Sequence, residues 1–129
     1  MNGSRAMASE LMAGILAGLK QDSVAEVAVC PPYVFIPAVR EQLRGSRVAL
    51  GAQDLDVNPP GAYTGAVAGE MLGDFDCSYC IVGHSERRTL YGESDDLVAR
   101  KFERAQQCGL TPILCVGETL SERDNDETE

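Results

Sequence analysis

The sequence predicts an α/β fold built on a parallel sheet whose outer face is covered by helices. Four short runs of near-continuous apolar residues, at 26–30, 48–53, 78–83 and 111–117, alternate with segments of helical periodicity. Runs without polar alternation belong to strands buried on both faces, and the intervening helices supply the crossovers that parallel strands require.

The chain opens on a helix. Met7, Leu11, Ile15 and Leu19 recur every four positions behind Ser4, a natural N-cap, so the spacing predicts an amphipathic helix over 5–20. Glu26-Val27-Ala28-Val29-Cys30 then reads as a strand stopped by Pro31-Pro32, and Ile36, Val39 and Leu43 as a helix ended by Gly45. The unit repeats with strand Val48–Gln53, a loop rich in turn residues (Asn58-Pro59-Pro60-Gly61), and a helix with inner face Val67, Met71, Leu72 and Phe75, for which Thr64 is the expected cap. A third strand, Ser78–Gly83, leads into a short polar helical turn. Ser94, with Asp95 and Asp96 in the first turn, caps a helix carrying Val98, Phe102 and Ala105 and closing at Gly109. The fourth strand, Thr111–Gly117, precedes Glu118-Thr119 and an acidic segment that starts a further helix, unfinished at Glu129. No low-complexity linker divides the series, so residues 1–129 are expected to be one domain.

A chain of 129 residues with 44% hydrophobic composition has the material for one ordinary core. Its 11 Lys+Arg against 20 Asp+Glu give a formal net charge of -9, which repels polyanions and gives no support to nucleic-acid or membrane-surface binding. A phosphorylated metabolite would need a local pocket against that field. No apolar run approaches the roughly 20 residues of a membrane span, and Met1-Asn2-Gly3-Ser4-Arg5 lacks the start of a signal peptide, so a cytoplasmic address is expected. Cys30, Cys77, Cys80, Cys108 and Cys115 make an odd set, three of them among aliphatic and β-branched neighbours. Reduced thiols without a disulfide framework are expected.

Chemistry in parallel βα architectures sits at the C-terminal ends of strands, where this chain places Pro31, Gln53-Asp54, His84 and Glu118. The only histidine lies in Gly83-His84-Ser85-Glu86-Arg87-Arg88, where Gly83 allows a tight exit from the strand and a helical turn starts at once. Backbone N–H groups would then aim at the imidazole, and the positive helix end disfavours imidazolium, leaving one nitrogen as acceptor and the other as donor. Position alone separates such a hydrogen-bond donor to a ligand poorly from a histidine that merely satisfies hydrogen bonds. Cys77 and Cys80 have the spacing of a redox or metal pair, but residues three apart in a strand face opposite ways, and no second pair completes a zinc site. Arg87 and Arg88 suit phosphate binding less well than pairing with acids such as Glu86 or Glu93.

Taken together, Cys30-Pro31-Pro32, Gly51-Ala52-Gln53, Gly61-Ala62-Tyr63-Thr64-Gly65, Val82-Gly83-His84-Ser85-Glu86-Arg87-Arg88 and Pro112-Ile113-Leu114-Cys115-Val116-Gly117-Glu118 resemble triose-phosphate isomerase along the whole chain. A neutral histidine at a helix start is a known property of that family, so the argument above agrees with it and adds no independent weight. The resemblance implies a partial (β/α)8 TIM barrel, the second to fifth strands with their helices, and a single incomplete barrel domain. It implies interconversion of dihydroxyacetone phosphate and D-glyceraldehyde 3-phosphate through an enediolate, in glycolysis and gluconeogenesis, with no cofactor and no metal. His84 would be the catalytic electrophile, with Ser85 and the acid Glu86 supporting it. Gln53, Asp54 and Thr64 would belong to the loop that meets the partner subunit of a homodimer, although Asp54 stands where asparagine is expected. Glu118 would be structural. The family's substrate-binding lysine precedes its Met-Asn-Gly by one position, and its glutamate base, lid and phosphate loops follow the stretch matched here. The expectation is therefore a piece of a complete isomerase, inactive alone. The alternative is a non-enzymatic half-barrel assembly module.

Overall fold

A computed structural model of the chain describes residues 2–20, 24–118 and 123–125. Helix α1 (Arg5–Gly18) precedes strand β1 (Ala28–Val29); a 3-10 turn (Tyr33–Phe35) runs into α2 (Ile36–Leu43). Then come β2 (Ala49–Ala52), α3 (Gly69–Gly73), β3 (Tyr79–Val82), α4 (Ser85–Tyr91), α5 (Asp95–Gln107) and β4 (Thr111–Leu114). The strands form one parallel sheet in the order β1-β2-β3-β4, with Ala28 opposite Ala49, Gly51 opposite Tyr79 and Ile81 opposite Ile113. The α/β alternation read from the sequence is therefore present, with each strand shorter than its apolar run. The acidic stretch after Glu118 lies outside the described residues except for 123–125, where Arg123 pairs with Glu118.

The helices cover one face of the sheet. Leu50, Ala52, Cys80 and Val82 point into it and are buried, joined by Met12, Ile36, Val39, Leu43, Leu55, Leu72, Val98, Ala105 and Leu110. On the other face, which the alternation assigns to Gly51, Tyr79, Ile81 and Ile113, the cover thins: Ile81 is half-buried and Ile113 is 40% exposed. Gly51 is needed there, because a Cβ would come within 2.7 Å of Cys30 Sγ and 2.9 Å of the Tyr79 carbonyl oxygen.

Both serine caps form as expected: the Ser4 hydroxyl accepts from the Met7 N–H at 3.1 Å and that of Ser94 from the Leu97 N–H at 3.3 Å. Three other expectations shift. In α1 the inward stripe is half-buried Ala8, Ile15 and Leu16 around buried Met12, continued by Leu19 at the C-cap, while Met7 and Leu11 are 56% and 58% exposed. A strict four-residue spacing drifts around a 3.6-residue helix, and packing follows the mixed spacing of three and four instead. Helix α3 begins at Gly69 with Ala68 as N-cap, not at Thr64, which is exposed in the preceding loop. The intervening residues lie along Asp56, whose N–H donates to the Val67 carbonyl at 2.9 Å and which bridges Ala68 in parallel. With only five residues, α3 buries one side chain, Leu72, beside Gly69, so Met71 and Phe75 are exposed rather than forming an inner face.

Candidate active site

The parallel sheet brings Pro31, Gln53, Asp54 and His84 to its C-terminal end. Gln53 Nε2 donates to the Cys30 carbonyl at 3.0 Å and ties the exits of β1 and β2 together. Leaving β3, the chain turns through Gly83 at φ +71°, where a Cβ would meet Val98 Cγ1 at 2.7 Å and Arg88 Nη2 at 3.0 Å. Glycine alone fits this corner.

His84 is the N-cap of α4, and its Nδ1 accepts the Glu86 N–H at 3.3 Å. Acceptance at Nδ1 leaves the ring proton on Nε2 in the neutral imidazole, and the side chain, 45% exposed, can present it to a ligand. One nitrogen thus serves the fold, the first of the two roles weighed for this histidine. The Glu86 carboxylate stands 3.7 Å from Nδ1, beyond hydrogen-bond range, and both it and Ser85 are exposed.

Arg87 and Arg88 are ion-paired, as expected, although with Glu93, Asp54 and Asp95 rather than Glu86. Arg87 Nε reaches Glu93 Oε1 at 2.7 Å and Nη2 reaches Asp54 Oδ2 at 2.8 Å; Arg88 Nη1 meets Asp95 Oδ1 at 2.5 Å. Lys101, from α5, completes the Arg87 cluster, its Nζ lying 2.6 Å from both Asp54 Oδ1 and Glu93 Oε1. Asp54, Glu93 and Lys101 are all buried. Burial pushes the Asp54 carboxyl above the usual range, against the pull of Lys101 and Arg87. Burial acts likewise on Glu93, but hydrogen bonds and charge from Lys101 and Arg87 prevail and hold it below that range. The Glu93 Oε2 atom is buried without a hydrogen-bond partner among the described residues.

The sequence reading passed over Lys101, although the sequence carried a signal. With Val98 three residues before it and Ala105 four after, it stands on the buried stripe of α5, where a charge must find a partner. Thr64 lies well along the loop from Gln53 and Asp54, in an exposed stretch with Tyr63. Glu118 is half-buried and accepts from Arg123.

The Cys77 and Cys80 thiols are buried, and burial raises them to about 11 and about 12. Such thiols are poor nucleophiles and metal ligands. Labelling of Cys77 and Cys80 by a disulfide reagent at pH 8 is expected to run about 10²-fold or more slower in the native chain than after denaturation; equal rates would show that the sheet opens readily there.

A model of the triosephosphate isomerase family matches residues 1–129. Among curated relatives, the triosephosphate isomerase of Nitrosomonas eutropha is 50% identical over 129 residues, all of this chain and 51% of that protein. The one from Methylococcus capsulatus is 52% identical over 128 residues, 99% of this chain and 51% of that protein. The crystal structure of the Bartonella henselae enzyme superposes with a TM-score of 0.88 at 38% identity, over 98% of this chain and 52% of its own. The chain spans about half the length of the curated relatives it matches, and its four-stranded sheet is part of a TIM barrel.

Proposed function

The chain belongs to the triosephosphate isomerase family, and from that premise we propose that it forms the His84-bearing part of an enzyme interconverting dihydroxyacetone phosphate and D-glyceraldehyde 3-phosphate. The observation that carries the reading is the His84 ring itself. It is held by a backbone N–H at Nδ1, at the C-terminal end of a parallel strand, with Nε2 left to donate. In an isomerisation through an enediolate, charge develops on the substrate oxygens, and a donor already aimed at them stabilises the transition state. His84 is the electrophile in this scheme; Ser85 and Glu86 lie beside it on the first turn of α4.

Negative net charge places phosphate binding on local groups, and both arginines near His84 are already engaged by carboxylates. The substrate-binding lysine, the glutamate base and the phosphate loops therefore come from outside these residues, as the family resemblance implies. Gln53, Asp54 and Thr64 belong to the segment that meets the partner subunit of a homodimer. Exposed Tyr63 within that segment and exposed Leu90 and Tyr91 on α4 support such a contact. The reaction requires neither metal nor cofactor and belongs to glycolysis and gluconeogenesis in the cytoplasm. The 129 residues act as one incomplete barrel domain.

The test is a chimera in which residues 1–129 replace the matching half of the Nitrosomonas eutropha relative. A coupled assay is expected to show isomerase turnover in the chimera and none above background in the 129-residue polypeptide. A folded but inactive chimera would refute the reading.

A further inference from the structure

Helix α4 carries His84 at its head, yet none of its seven residues is buried. Leu90 and Tyr91 face solvent. So short a helix has little stability of its own and is ordinarily held by an apolar face against the core. Here polar contacts take that place, and they converge on the histidine's own peptide groups. The main-chain N–H groups of residues Arg87 and Arg88 donate to the His84 carbonyl at 2.9 and 3.1 Å, as the first helical turn requires. Arg88 Nε donates to the Gly83 carbonyl at 2.8 Å, fixing the peptide just before the histidine, while Nη1 is held by Asp95. Arg87 reaches the other way, its guanidinium spanning Glu93 and Asp54, which Lys101 clamps in turn.

We propose that Arg87 and Arg88 are positioning residues for His84: their guanidinium forks set the direction of α4, and hence of the imidazole, in place of a hydrophobic face. This rests on the role proposed above for His84. Buried and half-buried ion pairs stabilise a fold little more than apolar side chains would, whereas a planar fork hydrogen-bonded at two or more points fixes an orientation. Neither arginine is available for substrate phosphate while so engaged. The loop after β2, through Asp54, is thereby coupled to the strand end that bears the electrophile.

Lysine keeps the charge but has no fork, so Arg87→Lys cannot span Glu93 and Asp54 as the guanidinium does, and Arg88→Lys cannot hold Gly83 and Asp95 as the fork does. In the chimera, each is expected to lower kcat on the order of 10-fold or more, with KM within about twofold, since a small misplacement of a reacting group is expensive. The same substitutions in a His84→Asn background are expected to change kcat by less than about twofold, because residues acting through one group are not additive. Asp95→Asn, at an exposed carboxylate, is expected to give a smaller loss with the same dependence on His84. If Arg87→Lys fails to fold, Arg88→Lys supplies the same comparison. An equal fall in both backgrounds, or no fall in the His84 background, would overturn the positioning role and leave the functional reading standing. Full activity in His84→Asn alone would overturn the functional reading itself.

Discussion

Lys101→Met is expected to destabilise the chain by about 3–5 kcal/mol, read as a lower denaturant midpoint with the slope unchanged. From α5, Lys101 touches both buried carboxylates, at 2.6 Å each. Without it, Asp54 and Glu93 share Arg87 alone, and one uncompensated negative charge stays buried. Methionine replaces the stem's apolar contacts, so the loss isolates the charge. The pH dependence follows with a definite sign. Burial already holds the Asp54 carboxyl above the usual range, and removing the cation raises both carboxyls from where they stand, so the penalty is largest at neutral pH and shrinks as acidification protonates Asp54. Adding Glu93→Gln to Lys101→Met is expected to recover much of the loss. A midpoint unchanged by Lys101→Met at pH 7 would show that the cluster is hydrated and weakly coupled.

The second large effect concerns catalysis. His84→Asn preserves a side chain able to cap α4 by accepting the Glu86 N–H, but it is too short to carry a donor to the site of Nε2. In the chimera it is expected to lower kcat by about 10²–10³ with little change in thermal stability. His84→Ala removes both functions and is expected to add a loss of about 1 kcal/mol in stability from the missing cap. The two variants thus separate the structural nitrogen from the chemical one. Near-normal kcat in His84→Asn would assign the ring to the fold alone.

Local signals carried much of this structure and the rest needed tertiary contact. Ser4 and Ser94 cap as their neighbours suggested, since a cap is decided within three residues. Gly83 and His84 were legible for the same reason: a strand end, a glycine and a helix start are contiguous in sequence. Thr64 failed as a cap because the chain after it is drawn alongside Asp56, a partner that no local pattern announces. The partners of Arg87 were half legible. Glu93 is six residues away, on the far side of the α4 turn, whereas Asp54 arrives from the loop after β2, and Lys101, which shares both carboxylates, arrives from α5. Whether Met7 or Met12 turns inward depended on the packing of α1 against α2 and the sheet, which decides between neighbouring stripes of similar hydrophobicity.

The order β1-β2-β3-β4 also bears on synthesis at the ribosome. Ala28 pairs with Ala49, Gly51 with Tyr79 and Tyr79 with Thr111, so among the described residues each strand pairs with its neighbours in sequence. Each of these three pairings closes one crossover loop and needs no segment beyond the next strand. The sheet can therefore grow by accretion, one βα unit at a time, with the His84 corner assembled as soon as α5 emerges to supply Lys101 and Asp95 is in place.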